Sequence, residues 1–209
     1  MSEHKLEQQW TPELLEFHEE LQSKNMGPLW ASVFSSSQPT PRAIPYLWKK
    51  QLILDMLEKA KNLLQVGTGS IDRRAVYLVN PGMKYLQPHG WGGATQTLYA
   101  AVQALNPGEI APPHRHMTSA LRFIMEGKGA SGIVNGVKYN FEPGDYVITP
   151  EWCWHDHINE GDETVLWMDC LDIPFTSALT SSFFEMYPGG QQPIDFPEDY
   201  GTKRYEGGM

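Results

Sequence analysis

A chain of 209 residues, 41% hydrophobic and 20% charged, has enough apolar content for one packed domain with extensions and argues against disorder. A formal net charge of −9 argues against nucleic acid or an anionic membrane as partner, and no stretch approaches the roughly 20 apolar residues that span a bilayer. The start MSEHKLEQQW lacks the basic-then-apolar order of a signal peptide, and the two cysteines, Cys153 and Cys170, suit a reducing compartment, so a cytoplasmic protein is expected.

Residues 12–26 place Leu14, Leu15, His18 and Leu21 near one helical face, behind Thr11 as a candidate N-cap and Pro12 at the first position. Gly27-Pro28 should end this helix. A Ser/Pro-rich connector from Ser35 to Pro45 leads to a second helical period over 48–65, stopped at Gly67-Thr68-Gly69. After Arg74 the pattern changes to short β-type runs: AVYLVN, TQTLYAAVQAL, ALRFIME, SGIVNG, DYVIT and TVLWMD. Turn signals punctuate them, among them Asn135-Gly136 and Pro143-Gly144-Asp145. The expected fold is therefore mainly β, an antiparallel jelly-roll barrel or double-stranded β-helix. A helical extension over 1–70 precedes the barrel at 71–175, and a loop-like segment fills 176–209. Seven Trp and nine Tyr suit an aromatic-lined interior, although core packing would use them equally well.

Chemistry concentrates at His114-Arg115-His116. Alternate residues of a strand share a face, so His114 and His116 point the same way and can bind one metal ion. His155, from another strand, completes a facial set of three. The spacing Gly108-x5-His114-x-His116-x10-Gly127 matches the first motif of the cupin superfamily. Gly144-x5-Pro150-x-Trp152-x2-His155-x3-Asn159 matches the second, with Trp152 where that motif usually has glycine. Where the first motif carries a glutamate, this chain has Ala120, leaving three neutral nitrogens and no carboxylate. An octahedral metal would then keep about three open positions, whereas zinc would be satisfied by three His and one water. Fe(II) suits oxygen chemistry; Mn, Ni and Zn stay open.

Strand parity extends the set. If His114 and His116 face inward, so do Thr118, Ala120 and Arg122, provided no bulge intervenes. A buried arginine needs an anion, either a substrate carboxylate or a fixed acid such as Asp169. Asp169 is Arg122's partner or an exposed strand-end acid. His157 shares the face of His155, as a fourth ligand, a proton donor or acceptor near the metal, or a surface residue. Gln103, Tyr99 and Trp167 are candidate walls, the two aromatics also being candidate core.

HRHMTSALRFIMEG together with PGDYVITPEWCWHDHINEG resembles the gentisate 1,2-dioxygenase family, which includes salicylate and 1-hydroxy-2-naphthoate dioxygenases. The likeness runs from Gly27-Pro28-Leu29-Trp30 through RRAVYLVNPG and TLYAAVQALNPGE to Pro174. It implies an Fe(II)-dependent, ring-cleaving dioxygenase that opens gentisate to maleylpyruvate between the carboxyl- and hydroxyl-bearing carbons. It makes His114, His116 and His155 the iron ligands, puts Arg122 and Arg74 at the substrate's acidic groups, and sets Gln103, His157 and Asp169 around the pocket. The implied partners are a small aromatic hydroxy acid and dioxygen, in a homo-oligomer that is tetrameric in relatives. Family members have two cupin domains, so 176–209 is expected to be a linker toward a second one. The alternatives are a non-catalytic cupin that binds aromatic acids through a metal, a salicylate or hydroxynaphthoate dioxygenase, and another metal-dependent cupin enzyme such as an isomerase.

Overall fold

A computed structural model describes residues 10–31, 38–66, 72–83, 93–198 and 200–204; the expected helix stop at Gly67-Thr68-Gly69 lies outside them. The chain divides into two units, Met1–Thr40 and Pro41–Met209. In the first, α1 spans Pro12–Ser23. Thr11 caps it in extended conformation (φ −71°, ψ 154°), its Oγ1 accepting from Leu14 N–H at 3.3 Å. The helix is shorter than its apolar period, because Asn25 turns left-handed (φ 57°) before Gly27. Trp30 closes back on it, stacking on Phe17 and donating to His18 Nε2 at 3.0 Å.

The second unit contains α2 (Lys50–Leu63) and, among the described residues, ten strands and two further α-helices. In chain order these are β1 (Ala75–Tyr77), β2 (Tyr99–Leu105), β3 (Ile110–His116), β4 (Ala120–Glu126), β5 (Ala130–Val134), β6 (Val137–Asn140), β7 (Tyr146–Thr149), β8 (His155–Asn159), β9 (Val165–Leu171), α3 (Ile173–Ala178), β10 (Phe184–Met186) and α4 (Tyr200–Arg204). They form two five-stranded antiparallel sheets, in the orders β1-β2-β9-β4-β7 and β10-β3-β8-β5-β6. The chain crosses repeatedly between them, giving the cupin-like sandwich expected from the turn pattern.

Alternation sorts the side chains. Leu105, Ile124, Val165 and Trp167 of the first sheet meet Ala130 of the second, and Phe141 just after β6, in the hydrophobic core. Each fully buried large apolar side chain there contributes about 1.5–3 kcal/mol. The opposite face of the first sheet presents Val102 and Ala104, on which α2 lays Leu57. Residues of α2 thus pack on the barrel, although the sequence groups them with the N-terminal extension. Part of 176–209 is likewise built into the sandwich: β10 pairs with β3, and Gln192 is buried, donating to Ile133 O.

The motif glycines Gly108, Gly127 and Gly144 all have positive φ, between 76° and 99°. At Gly127 a Cβ would also lie 2.3 Å from Thr164 O, so the turn after β4 closes only without a side chain. Asn159 is fully buried and ties three segments, donating to Leu105 O and Glu163 O and accepting from Gly161 N–H.

Arg74 is 2% exposed and forks onto Glu109 at 2.8 and 2.9 Å. Burial pushes the Glu109 carboxyl up, but hydrogen bonds from Arg74 and Asn106 N–H outweigh it and hold its pKa below the ordinary value. A carboxyl lowered in this way stabilises the fold above its unfolded pKa, and the contribution disappears as pH falls through the folded one. The Glu109→Gln variant should therefore lose about 2 kcal/mol at pH 7. In urea unfolding, that deficit should shrink below pH 4.

Candidate metal centre

β3 and β8 are hydrogen-bonded neighbours, and His114 sits directly opposite His155 across them. A register shift between Ala111 and His114 locally loosens the ladder. The ring centroids of His114, His116 and His155 lie 4.1–5.4 Å apart, and one nitrogen from each falls within 4.8 Å of the others. These three form the metal-competent group of His, Cys, Asp and Glu among the described residues.

The other ring nitrogen decides whether they fit a metal. Nδ1 of His114 lies 2.9 Å from Pro112 O, Nδ1 of His116 2.7 Å from Thr118 O, and Nδ1 of His155 3.0 Å from Cys153 O. A carbonyl accepts only, so each Nδ1 carries the proton and each Nε2 presents a lone pair. His155 Nε2 is buried without a hydrogen-bond partner, the signature of a nitrogen reserved for something else. Burial, then the nearby Arg73 guanidinium, drives the His114 pKa down to about 2. Burial likewise lowers His116, and takes His155 well below its usual value with Arg122 adding to the effect. All three stay neutral, as metal ligands must. The donor set of three nitrogens without a carboxylate fits a divalent first-row metal. At the place of the missing motif acid, Ala120 is buried beside Thr149 and Leu171.

The imidazoles of His114 and His116 border a cavity of about 470 Å³ lined from the first sheet by Tyr99, Ala101, Gln103, Arg122 and Asp169. Arg122 is 4% exposed; its Nη1 donates to Thr149 Oγ1 at 2.7 Å and its Nε lies 3.0 Å from Asp169 Oδ1. The fixed acid is thus its partner, while the guanidinium still borders the cavity. Burial raises the Asp169 carboxyl above the ordinary range, opposed by Arg122, Arg73 and the Trp167 indole N–H that donates to Oδ2 at 3.0 Å. Burial, then Asp169, pushes the Tyr99 phenol up to about 12, so it remains a proton donor. Gln103 is 2% exposed, and its Nε2 has no hydrogen-bond partner.

Three residues named from the sequence stand elsewhere. Arg74 does not border the cavity; it belongs to the Glu109 pair on the other face, and its neighbour Arg73 enters instead, its Nη2 donating to His114 Nε2 at 2.5 Å. His157 shares the face of His155 but sits one pleat deeper, 2% exposed, against Phe141 and Trp167. Trp167 is fully buried in the core rather than on a wall. Phe183 and Phe184, in the segment expected to be loop, border the cavity, and Phe184 stacks on His114 at 5.3 Å. Their adjacency in an otherwise polar stretch is the one sequence signal for them.

Two arginines against one carboxylate leave the cavity one positive charge in excess before any metal is counted, within a chain of net charge −9. Such a cavity selects an anion.

Known proteins agree with this geometry. Residues 101–173 match the cupin domain family. A gentisate 1,2-dioxygenase from Aquipseudomonas alcaligenes is 38% identical over 201 residues, 95% of this chain and 56% of that protein. One from a Streptomyces species is 38% identical, across 88% of this chain and 50% of that protein. The structure of a salicylate 1,2-dioxygenase from Pseudoaminobacter salicylatoxidans, described as adducts with gentisate, superposes with a TM-score of 0.82 at 33% identity, covering 96% of this chain and 54% of that one. No helix among the described residues is long and apolar enough to cross a membrane. The chain thus has a cupin-like fold and is similar to gentisate 1,2-dioxygenases over most of its own length, and it spans about half the length of the curated relatives it matches.

Proposed function

We propose that the protein is an iron(II)-dependent dioxygenase that opens gentisate to maleylpyruvate, cleaving between the carboxyl- and hydroxyl-bearing ring carbons. The observation that carries this reading is a cluster of three neutral imidazoles, two of which, His114 and His116, share one cavity of about 470 Å³ with the guanidinium groups of Arg73 and Arg122. That volume suits a single aromatic ring with its substituents. Iron(II), held by His114, His116 and His155, would supply the redox chemistry that joins dioxygen to the ring.

The chain's own groups do the rest. Arg73 and Arg122 take the substrate carboxylate, Arg122 being held in place by Asp169 and Thr149. Gln103 donates through Nε2 to a ring oxygen, and Tyr99 lies along the ring as a wall with its phenol protonated. Ala101, Leu171 and Ile173 exclude water from the apolar side. His157, Phe141 and Trp167 support His155 from beneath rather than touching substrate.

Anaerobic loading with iron(II), followed by oxygen uptake on gentisate, salicylate and 1-hydroxy-2-naphthoate, tests this. We expect uptake of one dioxygen per ring opened, fastest on gentisate. An iron-replete, folded sample that consumes no oxygen on any of the three would overturn the reading; metal-dependent gentisate binding in that same sample would mark a binding module instead.

A further inference from the structure

Arg115 stands between two metal-ligand candidates on β3 and points to the opposite side of the sheet. There its guanidinium carbon lies 4.1 Å from the ring centre of Trp152 and 4.3 Å from that of Trp154. The planar cation is held by both indoles. Glu185, directly opposite Arg115 on β10, closes the arrangement through Nε at 2.8 Å and Nη2 at 2.6 Å. Trp152 rests on Phe183 and Trp154 on Tyr187, so both indoles are themselves backed.

The residue between the two indoles is Cys153, whose carbonyl accepts from His155 Nδ1. Trp152 N–H donates to His116 O at 2.8 Å. Trp154 is tied to the β5–β6 turn by Asn135 in both directions. Holding Arg115 therefore holds the strand of His114 and His116 against the segment that orients His155. The clamp lies beside the register shift where the β3–β8 ladder is irregular, so backbone pairing alone leaves the ligand strands less constrained there. Trp152 also adopts φ 59°, a left-handed conformation that a bulky residue rarely takes. Strain of this kind persists where the surroundings over-determine it.

We propose that Arg115, Trp152 and Trp154 are positioning residues that set the spacing of the three histidines, and with it the affinity for the metal. This rests on reading those histidines as a metal set. The clamp touches neither metal nor substrate; it acts through the main chain of His116 and Cys153.

The test is titration of the metal-free 209-residue chain with cobalt(II), followed by its visible spectrum, for wild type, R115Q, R115K, W154L, W152G, H155A and L57A. Leu57 packs α2 onto the sheet, away from the site, and L57A reports the effect of lost stability alone. R115Q and W154L should raise the cobalt dissociation constant about 10-fold or more and alter the spectrum, on the scale of other outer-shell changes. R115K, which keeps a cation over the indoles but not the fork to Glu185, should fall between wild type and R115Q. W152G relieves the left-handed strain, so it should weaken cobalt binding without lowering the thermal midpoint as L57A does. Wild-type affinity and spectrum in both R115Q and W154L would overturn the clamp, as would an equal loss of affinity in L57A. If either variant fails to fold, the other decides. Wild type that binds cobalt no better than H155A would instead remove the metal reading itself.

Discussion

His155→Ala should leave a folded protein that no longer retains a divalent metal. His155 is fully buried, its Nδ1 is engaged by Cys153 O, and its Nε2 has no partner. Removing it deletes one of three ligands and a single protein hydrogen bond, the local one to Cys153 O. If the roughly 10–16 kcal/mol of a four-ligand structural site is shared evenly, one ligand is worth about 3 kcal/mol, or on the order of 100-fold in affinity. Metal analysis after gel filtration should find close to one ion per wild-type chain and none in the variant. Differential scanning supplies the second readout. Metal at 100 times its dissociation constant stabilises a folded protein by about 2.7 kcal/mol, and this increment should vanish in H155A while the metal-free midpoints stay close.

Arg122→Met should have the largest effect on the fold. It strips a 4% exposed guanidinium from a carboxylate that is 8% exposed, leaving Asp169 buried with a single indole donor and a more distant Arg73. Breaking one side of such a pair costs about 3–5 kcal/mol. The sign with pH follows from Asp169, whose carboxyl burial already raises and which loses its strongest opposing charge. A carboxyl with a higher pKa folded than unfolded weakens the fold once the unfolded chain ionises. The deficit should therefore grow as pH rises above about 4 and fade below it, as followed by urea unfolding. R122M/D169N, in which no charge is left unpaired, should recover most of the stability. It should not recover binding of an aromatic carboxylate to the metal-loaded protein. Recovery of both would make Arg122 structural and leave Arg73 as the anion's partner.

The metal triad was legible in the sequence because its determinants are local. His-x-His needs only the strand period, and the glycines at 108, 127 and 144 mark turns that need positive φ. The choice between Arg73 and Arg74 was not local. Both precede β1, and which one enters the cavity depends on the pairing of Ala75 with Gln103 across two strands distant in sequence. That register turns Arg73 inward with Ala75 and Gln103, and sends Arg74 out to Glu109. His157 and Trp167 show a second limit. Parity placed both on the inner face, as observed, but parity says nothing of depth along the strand, and both fall below the cavity floor in the aromatic core. The chemistry of Phe184 needed β10 to pair with β3, a contact across about 70 residues that its own flanking sequence does not announce.

The proton-directing oxygens behind the three imidazoles are all main-chain atoms, each two residues from its histidine: Pro112, Thr118 and Cys153. Tautomer selection is therefore encoded mainly in the path of the backbone, joined by the Thr118 hydroxyl 2.9 Å from His116 Nδ1 and the Arg73 guanidinium 2.5 Å from His114 Nε2. Genetic drift at positions 112 and 153 leaves the instruction intact provided that path is kept. The same economy makes the centre portable: a β-sandwich able to reproduce these two short stretches of chain would acquire correctly oriented ligands by grafting the three histidines with Thr118 and Arg73.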